Sequence, residues 1–255
     1  MSVTPRRLAA EAARLMRAAG DPATAGQSRS YFKPNDRVRF HGINAPRLRE
    51  IERELFSRVK GAWGIHDSIA FARLCVANPF NESKTVGILL LSRYHREFER
   101  GLLSEVEGWL ARNQCDNWSV VDALAPWVIT PLLRRHPSLV ARVRRWNRSR
   151  NLWLRRASVV CFVSMARHGE HLETAYDTAV VLRNDGEDLM HKAVGWLLRE
   201  AGRTDASRLE SFLLLHGPTL PRTTVRYAIE RFPAPSRKRL LTQTRGGETR
   251  VSISS

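Results

Sequence analysis

The chain has 255 residues, 43% of them hydrophobic, which is enough for one large domain or two small ones with a sizeable core. Its 42 lysines and arginines outnumber 25 aspartates and glutamates, and the formal net charge of +17 favours an anionic partner, with nucleic acid first. Only five of these bases are lysines; genomic base composition can explain arginine in place of lysine, but it does not explain the excess of bases over acids.

Helical periodicity dominates the sequence, and strand patterns are nearly absent. Thr4 followed by Pro5 predicts a helix that ends near residue 19, because a threonine cap and a proline at the first helical position both suit a helix start. Residues 20–44 form the longest stretch predicted to be irregular. Further helices are predicted at 46–59, 66–77, 82–95, 102–113, 117–129, 137–147, 151–167, 171–183, 187–202, 205–215, 222–231 and 235–243. The small, polar residues 246–255 are expected to form a disordered tail.

The spacing of these helices predicts an all-α protein, and we expect a single domain over residues 1–245. About a dozen helices at intervals of roughly 15–20 residues are typical of stacked helical hairpins, as in solenoids of the HEAT and armadillo type. Helix 151–167 is apolar almost all round, so we expect neighbours to cover it on several sides. Pro126 lies inside or at the end of helix 117–129 and should bend the chain there, because it removes an intrahelical hydrogen bond.

The segment 116–122 carries a tryptophan and a carboxylate on one face of a predicted helix, because Trp118 and Asp122 are four residues apart. The apolar side of this helix consists of Val120, Val121, Leu124 and Val128. Trp118 lies roughly 120° and Asp122 roughly 160° from the centre of that side. A surface tryptophan that packs on a neighbouring helix is one explanation and a binding site is the other, and this segment alone favours neither.

A second tryptophan points away from the apolar side of predicted helix 187–202. Trp196 lies roughly 110° from the centre of that side. Lys192 and Arg199 lie one turn away from it in either direction. The apolar side consists of Leu189, Met190, Ala193, Val194, Leu197, Leu198 and Ala201. Two outward tryptophans, one beside an acid and one beside bases, weaken a purely structural explanation of both.

Several kinds of chemistry are disfavoured. Cys75, Cys115 and Cys161 have no paired spacing, which argues for a reducing compartment and against a disulfide framework or a zinc site. The segment 168–171, His-Gly-Glu-His, has the wrong spacing for two ligands on one helix face, so we expect no metal. No glycine-rich phosphate loop is present, and we expect no cofactor. Without a membrane-length apolar run or a signal peptide, a soluble cytoplasmic protein associated with the nucleoid is expected, with no membrane partner.

An exposed acid, two outward tryptophans and many arginines suit one kind of reaction on nucleic acid. An acid near the sugar can stabilise the positive charge that develops on deoxyribose as a base departs. The faces of tryptophan rings also favour a cation. Arginines can hold the phosphates, because each guanidinium can donate two hydrogen bonds to one group.

Four segments resemble the AlkD family of DNA alkylation-repair glycosylases, and they occur in the family's order. The segment Asp116-Asn-Trp-Ser-Val-Val-Asp122 resembles the family's Trp-Trp-Asp-x-Val-Asp segment, with Asn117 where the family often has tryptophan. Asn151-Leu-Trp-Leu-Arg-Arg156 is similar to its Asn-x-Trp-x-x-Arg segment. Lys192-Ala-Val-Gly-Trp-Leu-Leu-Arg-Glu200 resembles its Lys-Ala-x-Gly-Trp-x-Leu-Arg-Glu segment. Gly42-Ile-Asn-Ala-Pro46 resembles its Gly-Ile-x-x-Pro segment. The resemblance covers roughly residues 30–230.

The resemblance implies a right-handed superhelical solenoid of HEAT-like repeats with a basic concave groove for duplex DNA. It implies hydrolysis of the glycosidic bond of N3- and N7-alkylated purines, in base excision repair, by a monomer. It assigns the catalytic acid to Asp122, the sugar-facing tryptophans to Trp118 and Trp196, and the phosphate contact to Arg156 or its neighbour Arg155. We expect Lys192 and Arg199, which flank Trp196, to bind DNA as well.

Two other functions are compatible with the same features. A non-catalytic DNA- or RNA-binding solenoid would share the charge, although it would not need the acid beside the tryptophans. A scaffold for an acidic protein would also use outward tryptophans and arginines, because both residue types are frequent hot spots in interfaces. Base release separates the first alternative from the glycosylase, and competition by duplex DNA separates the second.

Overall fold

The computed structural model describes residues 3–245, and every regular element within that range is helical. Its one isolated β-bridge in that range joins Arg39 to Phe80. The all-α prediction is therefore confirmed. None of the helices in this range is long and apolar enough to cross a membrane. The predicted tail, residues 246–255, lies outside the described residues.

The chain divides into two compact units, Met1–Arg142 and Val143–Ser255, called unit 1 and unit 2 here. Each unit consists of short helices joined by turns, as stacked helical hairpins require. The superhelical course, the concave groove and the single domain over residues 1–245 stay predictions.

Unit 1 is built around α5, whose Val86, Ile88, Leu90 and Leu91 are fully buried. α5 packs against α4, α3 and α7. The helices of unit 1 are α1 (Pro5–Ala19), α2 (Pro22–Ser30), α3 (Ala45–Ser57), α4 (Ile65–Val76), α5 (Asn81–Ser92), α6 (Leu102–Ala111), α7 (Trp118–Leu124) and α8 (Thr130–Arg135). A π-helix, Ala125–Ile129, joins α7 to α8. α9 (Val140–Arg145) contains the boundary between the units.

Unit 2 is built around α10, which buries eleven side chains and packs against α12 and α11. This confirms the prediction that helix 151–167 is covered on several sides. The helices of unit 2 are α10 (Leu152–Arg167), α11 (Leu172–Val181), α12 (Asp188–Ala201), α13 (Ala206–His216), α14 (Arg222–Ala228) and α15 (Ala234–Gln243). α12 packs in turn against α14, so α10, α12 and α14 form a row.

Two predicted segments differ from the structure. The stretch 20–44 is not irregular throughout, because it contains α2, which Asp21 caps by accepting the N–H of Thr24 at 2.7 Å. α2 buries none of its residues, so it has no apolar pattern to reveal it. The predicted helix 117–129 does not end at residue 129. Its hydrogen bonding changes to the wider π spacing, in which the Thr130 N–H donates to the Ala125 carbonyl, and the helical path continues into α8.

All three cysteines are buried and none forms a disulfide. Burial raises the pKa of Cys115 to about 12, where the nearby charge of Lys84 opposes the effect and that of Asp116 adds to it. Burial also raises the pKa values of Cys75 and Cys161. The thiols therefore behave as small apolar groups in the cores of their units.

Candidate functional site

α7 begins at Trp118 because Asn117 caps it. The Asn117 side chain accepts the N–H of Val120 at 3.1 Å and is almost fully buried. Asparagine is among the best residues for this position, which gives Asn117 a structural role at the place where the family often has tryptophan. α7 buries its valines and leaves Trp118 and Asp122 half-buried on the other side, as the helical phase predicts.

Trp118 is held by an aromatic contact that the sequence patterns did not indicate. The ring of Phe32 stacks on Trp118 with 5.0 Å between ring centroids and 17° between planes. Phe40 in turn contacts Phe32 at 5.4 Å. The neighbour that packs on this tryptophan is therefore a loop between α2 and α3, and part of the ring remains exposed.

This loop is fixed by the buried carboxylate of Glu82 in the first turn of α5. Glu82 accepts backbone N–H groups from His41 at 3.1 Å, Gly42 at 2.9 Å and Ile43 at 3.3 Å. Gly42 has φ of +84°, and a Cβ there would lie 1.9 Å from the Asp21 carbonyl oxygen. Only glycine suits both constraints, so the Gly-Ile pair of the family-like segment Gly42–Pro46 has a structural reason.

The imidazole of His41 completes this anchor. It stacks on Phe80 with 3.8 Å between ring centroids and 13° between planes. Burial lowers the pKa of His41, the charge of Glu82 opposes that effect, and the charge of Arg17 lowers the pKa further. The ring is therefore neutral near pH 7 and acts as a packing group.

The first turn of α5 also fixes the turn that precedes α7. The buried Lys84 ammonium lies 3.2 Å from the Asp116 carboxylate and donates to the Gln114 carbonyl. Asn81 donates to the Ser119 hydroxyl at 3.3 Å, one residue after Trp118. A buried ammonium needs such partners because desolvation is costly. One helical turn therefore positions Trp118 from two directions, through the loop that carries Phe32 and through the turn before α7.

In unit 2, the start of α10 carries the second family-like segment. Asn151 caps the helix by accepting the N–H groups of Trp153 at 2.8 Å and Leu154 at 3.2 Å. Arg156 is 5% exposed and donates to the Leu189 carbonyl at 2.7 Å. That hydrogen bond joins α10 to the first turn of α12. Arg156 thus has a structural role beside the phosphate contact predicted for it.

The neighbouring Arg155 is also committed to partners inside unit 2. Its guanidinium forms an ion pair with Asp185 at 2.7 Å and donates to the carbonyls of Ser149 at 2.8 Å and Arg150 at 3.1 Å. The Asp185 side chain is 5% exposed and the Arg155 side chain 16%. This pair fixes the two loops that precede α10 and α12. The choice between Arg155 and Arg156 as the phosphate contact stays open.

α12 places Trp196 half-buried between two bases, as its phase predicts. Lys192 forms an ion pair with Asp188 at 2.8 Å, and its hydrogen bond to Asp188 raises its pKa. Arg199 forms an ion pair with Glu230. The Lys192 side chain is 44% exposed, so its ammonium can reach an external anion. Arg199 is 21% exposed and is held more tightly.

Gly195, directly before Trp196, lets α14 approach α12 closely. A Cβ at this position would lie 2.5 Å from the Tyr227 Cβ and 2.7 Å from the Thr224 carbonyl oxygen. The Gly-Trp pair therefore combines a close helix contact with an outward ring on the next residue.

Glu200, near the end of α12, is fully buried and surrounded by arginines. The four guanidinium groups within ion-pair distance belong to Arg167 at 2.8 Å, Arg199 at 3.3 Å, Arg231 at 3.4 Å and Arg203 at 3.5 Å. Burial by itself raises the pKa of Glu200, but the hydrogen bond and charge of Arg167, with the charges of Arg231 and Arg199, lower it overall. This carboxylate balances part of the positive charge of unit 2.

The predicted site residues therefore fall into two groups. Trp118 and Asp122 share one face of α7 in unit 1, and Arg155, Arg156, Lys192, Trp196 and Arg199 lie on α10 and α12 in unit 2. Their catalytic and binding roles stay predictions. The sequence patterns did not indicate Phe32, Glu82 or Lys84, because each acts through contacts between distant parts of the sequence. Within residues 3–245, no three His, Cys, Asp or Glu side chains are placed to hold a metal ion together.

Comparisons with known proteins identify first the fold and then the family. A solved structure described as "Predicted DNA alkylation repair enzyme from Enterococcus faecalis" matches with a TM-score of 0.74 over 84% of this chain and 97% of that chain. Its sequence identity is 18%, so the match shows a shared fold alone. The sequence profile of the family described as DNA alkylation repair enzyme matches residues 12–232. The chain therefore belongs to the family of DNA alkylation repair enzymes, whereas no curated protein matches it.

Proposed function

We propose that this protein is a monofunctional DNA glycosylase that hydrolyses the N-glycosidic bond of cationic N3- or N7-alkylated purines in duplex DNA. The observation that carries the proposal is the face of α7. A carboxylate, Asp122, and an aromatic ring, Trp118, lie one turn apart on the side opposite the buried valines. Phe32 fixes that ring in place. Such a pair suits the stabilisation of a cationic sugar.

The chemistry needs no general acid. A purine alkylated at N3 or N7 is already cationic, so the electron pair of the breaking C1′–N bond neutralises the departing base. The sugar becomes oxocarbenium-like, and the Asp122 carboxylate stabilises that positive charge. Water then adds to C1′ and releases a proton, which leaves an abasic site. No lysine attacks the sugar, so the DNA backbone remains intact.

The basic residues of unit 2 supply the affinity for the duplex in this proposal. The Lys192 side chain, which is 44% exposed, is the more accessible of the two basic contacts predicted on α12. Arg155, Arg156 and Arg199 have partners within unit 2, which hold their guanidinium groups in fixed positions and lower the entropy lost on binding a phosphate. The net charge of +17 supports an electrostatic contact that does not depend on DNA sequence.

The test is base release from methylated duplex DNA, with chromatographic identification of the released bases. We expect 7-methylguanine and 3-methyladenine, and far slower release of the neutral bases uracil and hypoxanthine. The strand should break only after the abasic site is treated with alkali. Duplex binding without base release would instead identify a non-catalytic binder, and the absence of both would favour a protein scaffold. Comparable rates on uracil would contradict the proposed mechanism.

A further inference from the structure

Unit 1 has a pocket of about 750 Å³ that none of the predicted site residues lines. α3, the end of α5, the π-helix Ala125–Ile129 and the start of α8 contribute its walls. The volume is within the range of roughly 300–1,000 Å³ that is usual for sites of small ligands. This pocket is therefore large enough for one planar, multi-atom group.

The aromatic wall of the pocket is Trp127, which is 46% exposed although it is one of the largest apolar side chains. It lies within the π-helix, directly after Pro126, and Pro131 follows on the same helical path. Such π segments occur frequently at functional sites. An exposed indole on a locally rigid backbone is a platform on which a nucleobase can stack.

The rim of the pocket is basic. Arg93 donates two hydrogen bonds to Glu52, from Nε at 2.9 Å and from a terminal nitrogen at 2.6 Å, and its guanidinium lies 5.2 Å from the centre of the Phe56 ring. Glu52 is 3% exposed, so this pair neutralises the one carboxylate that lines the pocket. Arg49 and Arg53 are exposed and make no ion pair with any residue in the described range 3–245. Their positive charges are left for an external anion.

We propose that this pocket binds one nucleotide unit, with its base stacked on Trp127 and its phosphate held by Arg49 and Arg53. An indole alone would accept any apolar group, and two guanidinium groups alone would accept any anion. Together they select a planar base that carries a phosphate. An acidic protein segment would satisfy the arginines but offers no plane for the indole.

The pocket lies close to the candidate catalytic face along the chain. Trp127 follows Asp122 by five residues on one helical path, a rise of roughly 7 Å along the helix axis. The nucleotide can be a free one or an unpaired nucleotide of a DNA strand, because both present a base and a phosphate. This binding does not depend on the glycosylase proposal, and it can be measured without any base release.

The experiment is calorimetric titration of the full chain with 2′-deoxyadenosine 5′-monophosphate, with deoxyadenosine and with inorganic phosphate. The nucleotide should bind more tightly than either part. Trp127→Leu should weaken nucleotide binding about 5-fold to 100-fold, the range that loss of one stacked base gives. The pair Arg49→Gln and Arg53→Gln should weaken it about tenfold or more, because two charge-assisted contacts are lost.

The matched control is Arg100→Gln, an exposed arginine of unit 1 outside the pocket, which should leave nucleotide binding unchanged. Circular dichroism checks that each variant remains folded, and Trp127→Phe, which keeps a ring, should lose less affinity than Trp127→Leu. A nucleotide that binds no more tightly than its parts would overturn the proposal. Unchanged affinity in either pocket variant would do the same.

Competition distinguishes the two sources of the nucleotide. Displacement by a duplex with one unpaired adenosine, at concentrations where a fully paired duplex has no effect, would identify a strand nucleotide as the occupant. Failure of both duplexes to displace a tightly bound nucleotide would identify a free one. Poly-glutamate that binds through Arg49 and Arg53 while the nucleotide does not bind would replace the proposal with an acidic protein partner.

Discussion

The tryptophans of α7 and α12 are both turned away from a core, but they are held by different forces. Trp118 belongs to a helix of seven residues and stacks on Phe32, from a loop far away in the sequence. Trp196 belongs to a helix of 14 residues and makes no ring contact within residues 3–245. Its polar neighbours are Lys192 and Arg199, each in an ion pair with a nearby acid.

This difference determines which amino-acid substitutions should disturb each tryptophan. The position of Trp118 depends on tertiary contacts of Phe32, Glu82 and Lys84, so substitutions distant in sequence should disturb it. The position of Trp196 depends on the phase of one amphipathic helix and on Gly195. Substitutions near Trp196 should therefore change the local charge and the affinity for DNA more than they change the position of the ring.

The largest expected effect is on the acid of the α7 face. Asp122→Asn should lower the single-turnover rate of base release about 100-fold to 1,000-fold, because it removes the charge that opposes the developing sugar cation. Saturating enzyme separates this chemistry from binding. Asp177→Asn, at an exposed acid of α11, is the matched control and should retain the rate. A wild-type rate in Asp122→Asn would show that another group stabilises the sugar.

The next effect tests the buried charge of unit 2. Glu200→Gln should lower the free energy of unfolding by about 2 kcal/mol near neutral pH, because a neutral amide cannot balance the charges of four arginines that are only partly exposed. The pKa of Glu200 is lowered in the folded protein from the ordinary value of 4.5, so its contribution to stability is present above that value and is lost as pH falls through the folded pKa. Urea unfolding at several pH values should show the difference between the two proteins narrowing in acid.

The control for that measurement is Glu210→Gln. Glu210 pairs with Arg239, and both side chains are partly exposed, so its loss should cost less than about 1 kcal/mol. A difference between wild type and Glu200→Gln that widens as pH falls would mean that the pKa of Glu200 is raised instead.

A smaller effect sharpens the contrast between the two tryptophans. Phe32→Ala should lower the single-turnover rate up to about tenfold, the value of one aromatic pair, and Phe32→Leu should lower it less. Because Phe32 acts through Trp118, adding Trp118→Ala should cause little further loss. Adding Trp196→Ala to Phe32→Ala should instead be additive. Additive losses for Phe32 and Trp118 would show that Phe32 does not act by positioning that ring.

The smallest effect is on binding to undamaged duplex. Affinity should fall steeply between low and moderate salt, because phosphate contacts release counterions. Lys192→Gln should weaken binding to all sequences alike and reduce the salt slope by about one charge. Lys238→Gln, at a lysine of α15 that is not among the predicted DNA contacts, is the matched control for Lys192→Gln. Affinity that does not change with salt would contradict an electrostatic contact.

The sequence predicts what depends on helical periodicity. The faces of α7 and α12, the covered helix α10 and the start of α1 all follow from apolar spacing and capping residues, and the structure confirms them. α2 was missed because it has no buried side and therefore no apolar stripe. The bend expected at Pro126 stays a prediction, and apolar periodicity did not indicate the wider hydrogen-bond spacing with which this helix continues.

Helical periodicity does not indicate contacts between residues that are distant in the sequence. Nothing in the local sequence indicates that Glu82 accepts three N–H groups from residues 41–43, or that this brings Phe32 onto Trp118. The same limit applies to Arg155 and Arg156, whose sequence neighbours do not include their partners Asp185 and Leu189. The family resemblance suggested an external phosphate for one of these arginines, and the structure adds an internal role for both.

The burial of the cysteines has a consequence for a protein of this family. Agents that alkylate the ring nitrogens of purines also react with sulfur, and the thiolate is the reactive form. Cys75, Cys115 and Cys161 are inaccessible, and their raised pKa values keep them protonated near neutral pH. The three cysteines therefore offer no thiolate to an electrophile, so alkylation at these positions should be slow as long as the protein stays folded.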